Sequence, residues 1–176
     1  MADAAAIREL SEKMVYARGR LLDLIQSLSE EQASTPPRPG EWNPKEQMAH
    51  LCEMDSMYRA WVEKALEEDG ADLDRVPPKP VAIRLEEANR HLLAELGAEM
   101  ARQRQATLQL IASLKPQDYE RVASNSRFGT LTVLQWLRSY YRHDRMHYDQ
   151  ISGQEITYRP RFLDGGEPDQ RRPSAG

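Results

Sequence analysis

Apolar side chains recur at three- and four-residue steps in four separate stretches of this chain, the repeat of amphipathic helices that each bury one stripe. The first stretch runs from Ile7 to Leu28, with Leu10, Met14, Leu21 and Ile25 on its apolar side. Ser34-Thr-Pro-Pro-Arg-Pro-Gly40 cannot extend it, because three prolines remove amide donors and clash with a helical turn. The second stretch has a marked start: Asn43 suits an N-cap, Pro44 the first helical position, and Glu46 the reciprocal place of a capping box. Its inner face reads Gln47, His50, Leu51, Met54, Met57, Tyr58, Trp61, Val62 and Ala65, and it ends near Asp69-Gly70.

A second proline-rich segment, Arg75-Val-Pro-Pro-Lys-Pro-Val81, precedes the third stretch, whose stripe runs from Leu85 through Leu96, Met100 and Ile111 to Leu114, before Pro116. The fourth begins at Thr132, with Gln135 as its capping-box partner, and runs to Ile151 before Ser152-Gly153. No strand pattern stands out. Four such helices predict an all-α four-helix bundle over residues 1–155. Residues 156–176 lack an apolar period and read as an extended or disordered tail.

The link between the second and third helices decides the topology. Roughly 15 residues at about 3.3 Å each reach some 50 Å, against roughly 37 Å for a 25-residue helix. That link can run the length of the bundle, so an up-down-down-up order is allowed. An alternating bundle more often uses shorter connections.

Composition narrows the function. With 24 basic against 28 acidic residues the chain carries a formal charge of −4, and basic residues are interspersed with acidic ones. Nucleic-acid binding, which needs a basic face, is not expected. No apolar run is long enough to span a bilayer, and the start of the chain lacks a secretion signal, so a cytoplasmic location is expected. The single cysteine, Cys52, excludes an internal disulfide and a Cys-based zinc site; it reads as a packing or surface residue.

The histidines carry the chemistry. His143 and His147 are four apart in Tyr140-Tyr-Arg-His-Asp-Arg-Met-His-Tyr148, a spacing that rotates them by only about 40° on a helix and stacks them one turn apart. Trp136, Tyr140 and Ile151 lie in the same direction, so the pair faces the interior. His50 shares the inner face of the second helix with Met54 and Trp61. Buried imidazoles can instead bond carbonyls or tyrosines, but three on two inward faces share a solution in one divalent cation. His91 points away from the third helix's stripe and is assigned to solvent.

Other residues near the triad read as structural. Asp144 points to the buried side of the fourth helix, where pairing with an arginine from another helix is favoured over a role as base or imidazole orienter. Glu46 and Glu53 read as exposed, Met54 and Met57 as gap-filling core, and Tyr140 and Tyr148 as core before pocket.

Two segments carry a family resemblance. Gly40-Glu-Trp-Asn-Pro-Lys-Glu-Gln-Met-Ala-His50-Leu resembles the Trp-plus-second-helix signature of the DinB-like (YfiT-like) superfamily, and Thr130-Leu-Thr-Val-Leu-Gln-Trp-Leu followed by His143-Asp-Arg-Met-His147 resembles its fourth-helix signature. The resemblance extends over residues 7–155 in helix order and linker placement. It implies an up-down-down-up bundle with a divalent metal, zinc or nickel first and iron or manganese next, held by His50, His143 and His147. It also implies a homodimer, a small-molecule substrate and a low-molecular-weight thiol, in a metal-dependent transferase or hydrolase. Three imidazoles leave a coordination position open to water or substrate, as catalytic sites do. The rival expectation is a noncatalytic bundle whose metal or histidines stabilise the fold or a dimer.

Overall fold

The computed structural model describes residues 4–154, and the expected tail at 156–176 lies outside them. Four long helices form the bundle: α1 (Ala4–Gln26), α3 (Pro44–Glu67), α4 (Leu93–Ser113) and α5 (Val133–Ile151). A short α2 (Glu30–Ala33) follows α1, started by a capping box between Ser29 and Gln32. The two boxes expected from sequence are formed. The Glu46 amide donates to Asn43 Oδ1 at 3.0 Å while the Asn43 amide donates to Glu46 Oε2 at 2.8 Å. Thr132 and Gln135 make the same exchange at the start of α5.

Side-chain contacts fix the helix directions. The Lys13 ammonium stands 5.7 Å from the Tyr141 ring centroid and the Arg20 guanidinium 4.3 Å from that of Tyr148, so α1 and α5 run parallel. On α3 and α5, His50 meets His143 and Trp61 meets Trp136, which makes that pair antiparallel. Arg18 donates to the Met100 carbonyl and Arg104 to the Met14 carbonyl, so α4 opposes α1. The order is therefore up-down-down-up.

The link between α3 and α4 shows how two parallel neighbours are joined. Gly70 donates to the Val122 carbonyl beyond the end of α3. The chain then returns along α3: Ser56 Oγ donates to the Lys79 carbonyl, the Leu85 amide to Glu53 Oε1, and Asn43 Nδ2 to Asn89 Oδ1. It thus arrives back at the N-terminal end of α3, where α4 starts.

Three expectations are corrected. The third helix starts at Leu93 rather than Leu85, and residues Leu85–Arg90 form a separate 3-10 helix packed on α3 through buried Ala88. The Leu92 and Leu93 amides are taken by the side chains of Glu95 and Glu30, which mark the true start. His91 falls in the break and is half-buried beside Glu95. Strands are also present: β1 (Ala71–Asp72) pairs in parallel with β2 (Val122–Asn125), which pairs antiparallel with β3 (Gly129–Thr132). Strands of two and four residues are too short for an alternating pattern to register. Gly129, at φ +78°, closes the β2–β3 turn in a conformation that suits glycine.

The interior falls into two apolar clusters. One gathers Met14, Tyr58, Trp61, Trp136 and Tyr140, the other Leu21, Leu51, Leu96 and Met100. Between them lies a buried set of four charges, one from each long helix: Arg18, Asp55, Arg104 and Asp144. Arg18 reaches Asp144 Oδ1 at 2.8 Å and Asp55 Oδ2 at 3.0 Å. Arg104 reaches Asp144 Oδ2 at 2.9 Å and Asp55 at 3.4 Å. The arginine pairing expected for Asp144 is thus realised twice.

Burial works against the charge on Asp144, but Arg104 and Arg18 outweigh it and hold the carboxyl below its ordinary range. Burial likewise opposes the charge on Arg18, and Asp144 and Asp55 more than restore it. Truncating one member leaves its partners charged and buried, which costs about 3–5 kcal/mol. Asp144→Ala is therefore expected to lower the unfolding free energy by about that amount, read from the urea midpoint, with Glu120→Ala as a control outside the set.

Candidate metal centre

The rotation of α5 that turns Asp144 toward α1 and α4 turns its neighbours His143 and His147 toward α3. There they meet His50, which the stripe of α3 places on the facing side. The structure brings all three expected ligands together, and their ligating nitrogens lie within 4.8 Å of one another. His143 Nε2 stands 3.2 Å from His50 Nε2 and 3.0 Å from His147 Nε2. His143 and His147 are buried, and His50 is half-buried. Trp42 leans on the open side of His50, with ring centroids 4.8 Å apart.

Gln47, one turn before His50, settles the tautomer of His147. Its Nε2 donates to the Trp42 carbonyl at 2.9 Å, which leaves Oε1 as the acceptor facing His147 Nδ1 at 2.9 Å. Nδ1 of the neutral ring therefore carries the proton, and the Nε2 lone pair points at the other two imidazoles. A single proton between these nitrogens serves one contact at full strength. A divalent cation at their common point is served by all three. Nitrogens about 2.0–2.1 Å from a tetrahedral zinc stand about 3.3 Å apart, close to the two short separations here. The donor set fits such an ion.

Beside the triad, a cleft of about 380 Å³ opens between α3, α5 and the β2–β3 turn. His50 and His143 line it, with Met54, Met57, Trp61 and Phe128 among its apolar walls. Met54 and Met57 are half-buried, packing against the first apolar cluster on one side and lining the cleft on the other. A smaller recess of about 260 Å³ lies on the Gln47 side of His147, beneath Trp42.

The remaining candidates have structural roles. Tyr140 is buried and donates to the Asp55 carbonyl at 3.0 Å; Tyr148 stacks under Arg20. Glu46 and Glu53 are half-buried and cap backbone amides. Cys52 is fully buried in the second cluster, and burial pushes its thiol far up. His91 is not part of the triad. Gln47 shares the stripe of His50, but its part in orienting His147 emerges only from the fold. The turn at residues 125–128 carried no signal at all, since only the fold brings it to α3.

The profile of the DinB superfamily matches residues 13–151. YuaE of Bacillus subtilis, an uncharacterised protein, is 27% identical over 140 residues, which cover 72% of this chain and 85% of that one. Among solved structures, YfiT from Bacillus subtilis, described as a probable metal-dependent hydrolase with an unusual four-helix bundle topology, superposes with a TM-score of 0.72 at 15% identity, covering 87% of each chain. TT2238, a four-helix bundle protein, gives 0.62 at 21% identity over 84% of this chain and 99% of its own. A mutant of the mycothiol-dependent maleylpyruvate isomerase gives 0.64 at 9% identity, over 86% of this chain and 62% of its own. The chain belongs to the DinB superfamily.

Two sets of variants test the centre. Elemental analysis of untagged protein is expected to find stoichiometric metal lost in His50→Ala and His147→Ala and kept in His91→Ala; equal retention in all three would refute the assignment. Gln47→Ala is expected to weaken metal binding about 10–100-fold by calorimetry, and Gln47→Glu, which keeps an acceptor for Nδ1, to preserve most of it.

Proposed function

We propose that this DinB-superfamily chain is a metal-dependent enzyme acting on a small molecule, with one divalent ion, zinc or nickel, held by His50, His143 and His147. One observation carries the reading: three Nε2 atoms converge beside an open cleft rather than inside a closed protein shell. Three protein ligands with space beside them are the usual arrangement of a catalytic zinc, whereas structural sites close a fourth protein ligand over the ion. A cation held there supplies a Lewis acid and lowers the pKa of a water or thiol that it binds.

The chain's own groups prepare the site. Gln47 holds the His147 ring with its lone pair inward. Met54, Met57, Trp61 and Phe128 line the approach with apolar surface that excludes bulk water. The attacking group comes from outside the protein, because Cys52 is sealed in the core and Asp144 is committed to two arginines. Water would make the enzyme a hydrolase, as the description of YfiT suggests for that protein. A low-molecular-weight thiol would make it a transferase, and the name of the mycothiol-dependent neighbour lends that route support. In this reading the protein works in the cytoplasm as a homodimer, and Val15 and Tyr16, exposed on α1, are apolar side chains suited to the contact.

The test compares zinc- or nickel-loaded protein with chelator-stripped protein. Activated esters probe hydrolysis, and chlorodinitrobenzene with a panel of cellular thiols probes transfer. Turnover is expected only in the loaded form and lost in His143→Ala. Stoichiometric metal without turnover of either class would leave the noncatalytic bundle as the better description.

A further inference from the structure

The far wall of the same cleft carries a charge that the metal reading does not use. Arg127 lies in the β2–β3 turn, exposed, and lines the cleft opposite the histidines. Its position is built rather than incidental. The Arg127 amide donates to Asn125 Oδ1 at 3.0 Å, which sets the turn, and its guanidinium rests 5.4 Å from the centroid of the Phe128 ring. Phe128 is itself buried against Trp61 and Trp136, at centroid separations of 6.2 and 6.1 Å. The aromatic wall thus supports the cation at the mouth.

Asp74 also lines the cleft, but its carboxylate is turned into the hairpin. It accepts from Asn125 Nδ2 at 2.7 Å and from the Ser126 amide at 3.1 Å. Among the described residues, no carboxylate forms a salt bridge with Arg127, which lines the cleft as an exposed cation. Between this cation and the triad the surface is apolar and soft: Met54, Met57 and Met146 are flexible thioethers that adapt to varied shapes. The volume, about 380 Å³, is at the small end of sites that take whole ligands.

We infer that the cleft takes a small, largely apolar molecule with an anionic group at one end, held by Arg127, and its reacting group at the other, at the histidine triad. The inference rests on the metal reading above and adds the substrate class. The thioether walls accept a range of bodies, and the charge at the far end supplies the selection.

Succinic, adipic and suberic monohydroxamates serve as probes, each compared with the neutral amide of its free acid end. The hydroxamate chelates zinc, and the three lengths sample short, intermediate and long separations of the two ends. Calorimetry on zinc-loaded protein is expected to favour at least one acid over its amide about fivefold, the upper range for an exposed charge contact, with the preference shrinking in high salt. Arg127→Ala should remove the preference and leave amide binding unchanged, and Arg127→Glu should reverse it. Equal binding of acid and amide at every length, no binding of either, or a preference that survives Arg127→Ala overturns the inference. The metal reading is scored separately: its failure shows as hydroxamates binding zinc-loaded and metal-stripped protein alike.

Discussion

The fold turns on four charges buried at the centre of the bundle. Arg18, Asp55, Arg104 and Asp144 come one from each long helix and close into a neutral set in which each arginine touches both carboxylates. Apolar stripes alone allow a helix to slide or rotate by a fraction of a turn at little cost. A charge-assisted hydrogen bond does not, because a displaced carboxylate would be left charged in a medium that solvates it poorly. The set therefore pins the rotation and register of all four helices. Replacing it with apolar residues of matching volume need not cost stability; what it supplies is a single arrangement.

The histidine triad inherits that arrangement. Successive helical residues point about 100° apart, so fixing Asp144 toward α1 and α4 fixes His143 toward α3. His147 follows one turn later. Asp55 plays the same part on α3, just over one turn beyond His50. The triad itself is half a solution, since three imidazoles whose Nε2 atoms crowd to one point are best served by a cation at their centre. The central charges make that geometry available before any ion arrives. Gln47 completes it by choosing which nitrogen of His147 faces inward.

Much of this was legible in the chain. Capping at Asn43 and Thr132, the breaks at the prolines and the inward side of His50, His143 and His147 are local properties, set by helical period and by side chains that bond nearby amides. The pairing of Asp144 with arginine was legible in kind, because a carboxylate on a buried stripe demands a cation. Its partners were not, since Arg18 and Arg104 lie on helices whose neighbours only the fold decides. The early start assigned to the third helix came from reading Leu85 into a stripe that Glu30 and Glu95 in fact cut off at Leu93. The short strands and the Arg127 turn escaped for a related reason: their roles arise from pairing across the chain.

Parallel packing of α1 against α5 has a practical consequence for handling the protein. The beginning of α1 lies beside the beginning of α5, whereas α5 ends one turn after His147. The chain therefore leaves α5 next to the imidazole cluster, whereas it enters α1 at the opposite pole, roughly 28 Å away along a 19-residue helix. A histidine-rich affinity sequence joined ahead of α1 starts at the pole distant from the protein's own ion.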